Sequence, residues 1–93
     1  QQKVVIIDLR TQEDYKSGHI PGALLIPLSE LKSRLGELNK TDHILVYHTC
    51  ISCSKSGAQT LVDNGFLYVY HLPPAEFLKW KSQGFPISYN LTP

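Results

Sequence analysis

Ile44-Leu45-Val46-Tyr47-His48-Thr49-Cys50-Ile51-Ser52-Cys53-Ser54-Lys55-Ser56 is the stretch that decides the fold. An apolar run leads into a short polar segment with two thiols. A helical pattern follows and closes at Gly65. That order reads as strand, loop, helix. The start of a helix carries partial positive charge and unpaired N–H donors. A cysteine placed there is biased towards thiolate, the reactive form of sulfur. Both cysteines of the chain therefore sit where an α/β protein would place a nucleophile.

Working outward, Val4-Val5-Ile6-Ile7 is a β-branched run and predicts a strand buried on both faces. Thr11 with Asp14 three residues on predicts a short helix ending at Gly18. His19-Ile20-Pro21-Gly22-Ala23 reads as a turn and Leu24-Leu25-Ile26 as a brief strand. A helix is expected from Ser29, with Leu28, Leu31, Leu35 and Leu38 on one face. Ile44 to Tyr47 is the central strand. Ala58, Leu61 and Val62 mark the inner face of the next helix. Phe66 to Tyr70 is the next strand, Pro74 to Lys81 a last helix, and Gly84-Phe85-Pro86-Ile87 the exit. Strands alternating with helices predict an α/β fold: a parallel sheet flanked by helices on both faces. In such sheets ligands bind beyond the carboxyl ends of the strands, where the thiol segment lies.

The bulk numbers narrow the function. The chain has 93 residues, 42% of them apolar and 18% charged, enough for one domain spanning 1–93. A net charge of +1 with scattered lysines and arginines favours no nucleic acid and no membrane partner. No stretch reaches the roughly 18 apolar residues of a membrane-spanning helix. The start, Gln1-Gln2-Lys3-Val4-Val5, lacks a signal-peptide pattern, and a cytoplasmic location is expected. Two cysteines two residues apart read as a redox pair, half a metal site or a nucleophile loop.

Asp8-Leu9-Arg10 and the run Glu13-Asp14-Tyr15-Lys16-Ser17-Gly18-His19-Ile20-Pro21-Gly22-Ala23 resemble a rhodanese-like domain. Ile26-Pro27, Leu45-Val46-Tyr47, Asn64-Gly65-Phe66 and Trp80 before Gly84-Phe85-Pro86 extend the likeness from about Val4 to Ile87. The resemblance implies a rhodanese-like three-layer fold that starts here after the family's first strand and helix. It implies a sulfurtransferase or sulfur carrier that forms a cysteine persulfide and needs no cofactor and no metal. Its partners would be a small sulfur donor or a thiol acceptor, including a protein thiol.

The family's Cys-x-x-Gly-x-Arg-Ser loop is altered. An ungapped register puts His48 at the cysteine position and Cys53 at the arginine position. A shift of two puts Cys50 at the cysteine, Lys55 at the arginine and Ser56 at the serine. The same segment is similar to a glutaredoxin or arsenate-reductase opening over about twenty residues, but Asp8 to Ala23 does not fit that fold.

The residues then take these expected roles. Cys50 is the catalytic nucleophile, Cys53 the resolving thiol and Lys55 the positive charge. Ile51, Ser52, Ser54 and Ser56 belong to a substrate-binding loop whose amides, 51 to 56, form one anion cup. His48, Arg10 and His71 are auxiliary. His48 pairs with the thiolate, ligates metal or is a core residue. Arg10 is scaffold or faces the active-site edge. His48, Cys50, Cys53 and His71 together would make a four-ligand zinc site, a weaker reading. Three functions remain open: sulfur transfer, dithiol–disulfide exchange, and a non-catalytic binding module.

Overall fold

The computed structural model describes residues 4–84. The elements are β1 (Val4–Asp8), α1 (Gln12–Ser17), β2 (Leu24–Leu25), α2 (Leu28–Leu31), β3 (His43–Tyr47), α3 (Ile51–Asp63), β4 (Tyr68–Leu72) and α4 (Pro74–Ser82). The strands form one sheet in the order β2-β1-β3-β4, with every pairing parallel. β1 and β3 are therefore the inner strands, and both end at the same edge.

Register assigns the faces. Ile7 pairs with Val46, and both pack with Ile44, Leu31, Leu61 and Phe66 under α2 and α3. On the opposite face Tyr47 packs with Tyr15 of α1 and Phe77 of α4. Helices thus cover both faces, as expected. The cover on β1 favours its carboxyl half. Val4 remains 64% exposed while Ile7 is fully buried, so the expectation of a strand buried throughout holds only from Ile7 on. No helix among the described residues is long and apolar enough to cross a membrane.

Local chemistry explains the boundaries. Thr11 caps α1, its side chain accepting the Asp14 N–H at 3.2 Å. Gly22 takes a left-handed φ of 86°, which the turn after Pro21 requires and a side chain would strain. The leucine helix expected from Ser29 is only α2, and a 3₁₀ segment over Lys32–Glu37 continues it. Pro27 gives α2 no side-chain cap, and Gly36 weakens a helix there, so the tighter turn takes over. Leu28, Leu31, Leu35 and Leu38 nonetheless all meet the core. β4 lies two residues later than the run Phe66–Tyr70 suggested. Phe66 instead closes α3, its N–H bonding Leu61 O at 3.1 Å.

Within α3, Leu61 is buried and Ala58 partly buried, but Val62 faces out at 52% exposure. Gly57 takes the inner position: a side-chain carbon there would run into Leu9, which is fully buried. The exit segment beyond Gly84 lies outside the described residues.

Candidate active site

β3 delivers the chain to the carboxyl edge at Tyr47, and α3 begins at Ile51. His48, Thr49 and Cys50 alone make the connection. Cys50 is the N-cap of α3, with extended backbone (φ −109°, ψ 120°). Its Sγ accepts the Cys53 N–H at 3.3 Å, the place usually taken by a serine or aspartate oxygen. Ser52 Oγ lies 3.3 Å from the same sulfur. Cys50 and Cys53 are joined as a disulfide, with their Cα atoms 5.1 Å apart. After reduction, a thiolate at Cys50 would sit on the positive end of a 13-residue helix.

His48 holds this arrangement from behind. Its Nδ1 accepts the Cys50 N–H at 3.0 Å, so the neutral ring carries its proton on Nε2. Burial lowers the pKa of His48; Asp8 and Asp14 oppose that and Arg10 adds to it. The imidazole therefore serves the cysteine backbone through Nδ1.

Residues 51–56, expected as an open anion cup, form the first turns of α3. The N–H groups of Cys53 and Ser54 bond the Cys50 carbonyl at 3.1 and 3.0 Å. A capping sulfur starts the helix at once, and the N–H groups of Ile51 and Ser52, at its first positions, have no acceptor within the helix. Ile51 and Ser52 are exposed on the first turn. Ser54 is fully buried, its hydroxyl bonding Ile51 O at 3.1 Å and lying 3.4 Å from His71 Nδ1. Ser56 is exposed, and its carbonyl accepts the Thr60 hydroxyl at 2.9 Å.

Lys55 is not brought to Cys50. At about 100° per residue it is turned roughly 140° away around the helix. It lines an open groove with Ala58, Gln59, Val62, Tyr70 and His71 beside β4. Among the described residues no group of three or more His, Cys, Asp or Glu side chains could hold a metal ion, so the four-ligand zinc grouping is not assembled.

Arg10 belongs to a closed network behind the site. Its Nη2 donates to Asp8 Oδ2 at 2.8 Å and to Gly18 O at 2.7 Å, and its Nε reaches Oδ1 at 3.1 Å. Arg10 and Asp8 are 4% and 0% exposed. The guanidinium lies 4.7 Å from the Phe77 ring centre and 5.6 Å from that of Tyr47. Of the two expectations for Arg10, scaffold is the one its bonds satisfy. Burial draws its pKa down, but the bond and charge of Asp8 outweigh that and leave it raised.

Tyr47 was read only as strand. Its hydroxyl accepts the Ile20 N–H at 3.1 Å. Burial, then the charge of Asp8, push the phenol far above its ordinary pKa. The sequence signal was available: a tyrosine at the buried end of an inner strand must find a partner for its hydroxyl. His19 completes the region. Its ring stacks on Tyr15 at 3.6 Å, and its Nδ1 donates to Tyr15 O at 2.8 Å.

Known proteins resemble this chain in sequence and in fold. A family model described as a rhodanese-like domain matches residues 1–83. The putative sulfur carrier protein YrkF of Bacillus subtilis is 38% identical over 69 residues, covering 74% of this chain and 37% of YrkF. YqhL of the same organism is 40% identical over 81 residues, 85% of this chain and 62% of YqhL. The chain thus spans less than two thirds of the length of both. The thiosulfate sulfurtransferase GlpE of Coxiella burnetii is 35% identical over 82 residues, 88% of this chain and 76% of GlpE. The crystal structure of the rhodanese-like domain of Alr3790 from Anabaena sp. superposes with a TM-score of 0.85 at 29% identity, covering 95% of this chain and 83% of that one. With its parallel sheet, its Asp8–Arg10 lock and its thiol pair after β3, the chain belongs to the rhodanese-like family.

Proposed function

We propose that this domain carries sulfur as a persulfide on Cys50 and that Cys53 resolves it. The observation that carries the reading is the capping of α3 by Cys50 Sγ, within disulfide reach of Cys53. Similarity to a putative sulfur carrier and to a thiosulfate sulfurtransferase supports it. In the first step the Cys50 thiolate attacks the terminal sulfane sulfur of a donor. The donor's bond to that sulfur breaks, and its remainder leaves with the electron pair. In the second step the Cys53 thiolate attacks Cys50 Sγ. The Cys50–Cys53 bond forms, and the outer sulfur leaves as hydrosulfide. A thiol acceptor attacking the outer sulfur takes it instead and leaves the Cys50 thiolate. An external thiol reduces the disulfide and restarts the cycle, a reaction suited to the cytoplasm.

The disulfide also favours a second reading, plain exchange between this pair and protein disulfides. One variant separates the two. Cys53→Ser leaves the nucleophile without its resolving partner. Sulfur transfer predicts that this variant, offered a sulfane donor, gains one sulfur at Cys50 by intact mass and keeps it longer than the wild type. Dithiol exchange predicts no sulfur uptake and trapped mixed disulfides. If neither wild type nor variant is modified, both readings fail.

A further inference from the structure

The two edges of the sheet are not alike. β2, at one edge, has two residues, Leu24 and Leu25, with Pro21 and Pro27 close on either side. So short an edge is a poor template for another strand. β4, at the other edge, has five residues, Tyr68–Leu72, and among the described residues it pairs on one side only, with β3. It carries no lysine, no acid and no proline, the residues that usually blunt an edge. Pro73, which lacks an N–H, follows it. Beside β4, α3 leaves an open groove lined by Ala58, Val62 and Val69, with Lys55 at the end towards the thiols. Val62 and Tyr70 are both half exposed.

The charges on α3 are placed against its own dipole. Asp63 is the last residue of the helix, at the negative end, and Lys55 lies in the amino-terminal half. The ion pairs among the described residues are those of Arg10 and Arg34, so neither Lys55 nor Asp63 is neutralised within the chain. Asp63 Oδ1 accepts the Gln59 amide at 2.8 Å, which leaves its other oxygen open. An antiparallel copy of α3 would answer both charges. We infer that β4 and α3 dock a second copy of this chain about a two-fold axis at Tyr70. β4 pairs antiparallel with its copy, Tyr70 against Tyr70, and the sheet continues into the partner. Tyr70 is the middle residue of β4, and Ala58 and Gln59 are the middle of the α3 residues that line the groove. The same axis therefore sets Gln59 beside the Gln59 of the other copy. Lys55 then meets the Asp63 end of the other helix, twice by symmetry. Strands pair about 4.8 Å apart and α3 packs on both β3 and β4, so the two helix axes stand two strand spacings apart, roughly 10 Å. That is a helix-packing distance, and Ala58 at the crossing is small enough for it. Val62 and Val69 lose water in both copies. Each Cys50 stays at its own carboxyl edge, so the two thiol ends lie at opposite ends of the joined sheet.

The patch is small for an interface, and the dimer is expected to be weak, with a Kd on the order of 10–100 μM. Sedimentation equilibrium of the 93-residue chain, kept reduced so that no disulfide links two copies, should show it between about 5 and 500 μM. A monomer throughout that range overturns the inference. Lys55→Asp should weaken dimerisation at least about tenfold, because both cross-pairs turn repulsive. Adding Asp63→Lys should return the Kd to within about threefold of the wild type. Both positions are exposed and the exchanged charges suit the dipole of α3, so both variants should fold. A single variant as tight as the wild type, or a double variant as weak as the single one, overturns the proposed axis. Amide exchange identifies what lies on the edge. Protection of Tyr68–Leu72 is expected to rise with protein concentration. Protection that is the same at every concentration means that β4 is covered from within its own chain or not at all, and overturns the proposal.

Discussion

After β1 the chain turns its polar side chains inward, whereas after β3 it turns them towards an exposed helix end. Asp8 accepts the Arg10 N–H at 2.8 Å and the Arg10 guanidinium. These side chains are buried and paired with one another. Cys50 and Ser52 leave the neighbouring parallel strand at the same edge, and their side chains meet each other, Cys53 and the helix end, while His48 takes the Cys50 N–H. One exit is a lock and the other is a reactive end mounted on it. A buried charge pair is costly to break, so it fixes geometry. A thiol that must meet a substrate cannot be enclosed in that way. Substitutions should therefore unfold the protein in the first region and silence it in the second.

The largest effect should follow Asp8→Ala. It strands the buried Arg10 guanidinium, and should remove about 3–5 kcal/mol of stability in urea unfolding. A loss below about 1 kcal/mol would mean that the lock is not what holds this edge. Tyr47→Phe is a smaller cut. It deprives Ile20 N–H of its acceptor, and should cost about 1–3 kcal/mol by the same measurement.

His48 joins the two regions, and its substitution tests the join. His48→Ala in the reduced Cys53→Ser protein should slow alkylation of Cys50, because the Cys50 N–H loses its anchor. His48→Asn, whose Oδ1 can accept that N–H, should restore most of the rate. The ring also predicts a pH effect. Its folded pKa is lowered by burial from the ordinary 6.5, so the unfolded chain takes the proton first as pH falls. The stability tied to a neutral His48 is thus full above pH 6.5 and is lost as pH falls through the folded value. His48→Gln should flatten that part of the stability–pH curve. The smallest effect is expected from Lys55→Ala: within about 0.5 kcal/mol in stability, with no change in Cys50 alkylation. A slowed alkylation would return Lys55 to the sulfur.

The first exit was legible in the sequence because its partners are close in the chain. Thr11 caps α1 three residues before the amide it serves, and Arg10 meets Asp8 two residues away. Turn chemistry at Pro21-Gly22 is equally local. The start of α3 was less legible because Cys50, Ser52, Ser54 and Ser56 are all competent beginnings. Contacts made elsewhere settle the competition. His48 takes the Cys50 amide, and Ser54 is drawn inward beside His71 of β4. The position of β4 is likewise non-local. Its aromatic run has no alternation to set a register, and pairing of Tyr68 with His43 supplies it, the two rings stacking at 4.5 Å.

Gly57 gives α3 the mechanics of a beam on a support. The helix rests on Leu9 at the one position where a side-chain carbon would not fit. Cys50 stands about 10 Å from that support at about 1.5 Å of rise per residue. A tilt at the support is therefore read out at the capping end. Gly57→Ala would lift the beam, and the sulfur would travel while the sheet beneath stayed put. Descendants of this sequence have here a means to retune the thiol through a residue that no substrate touches.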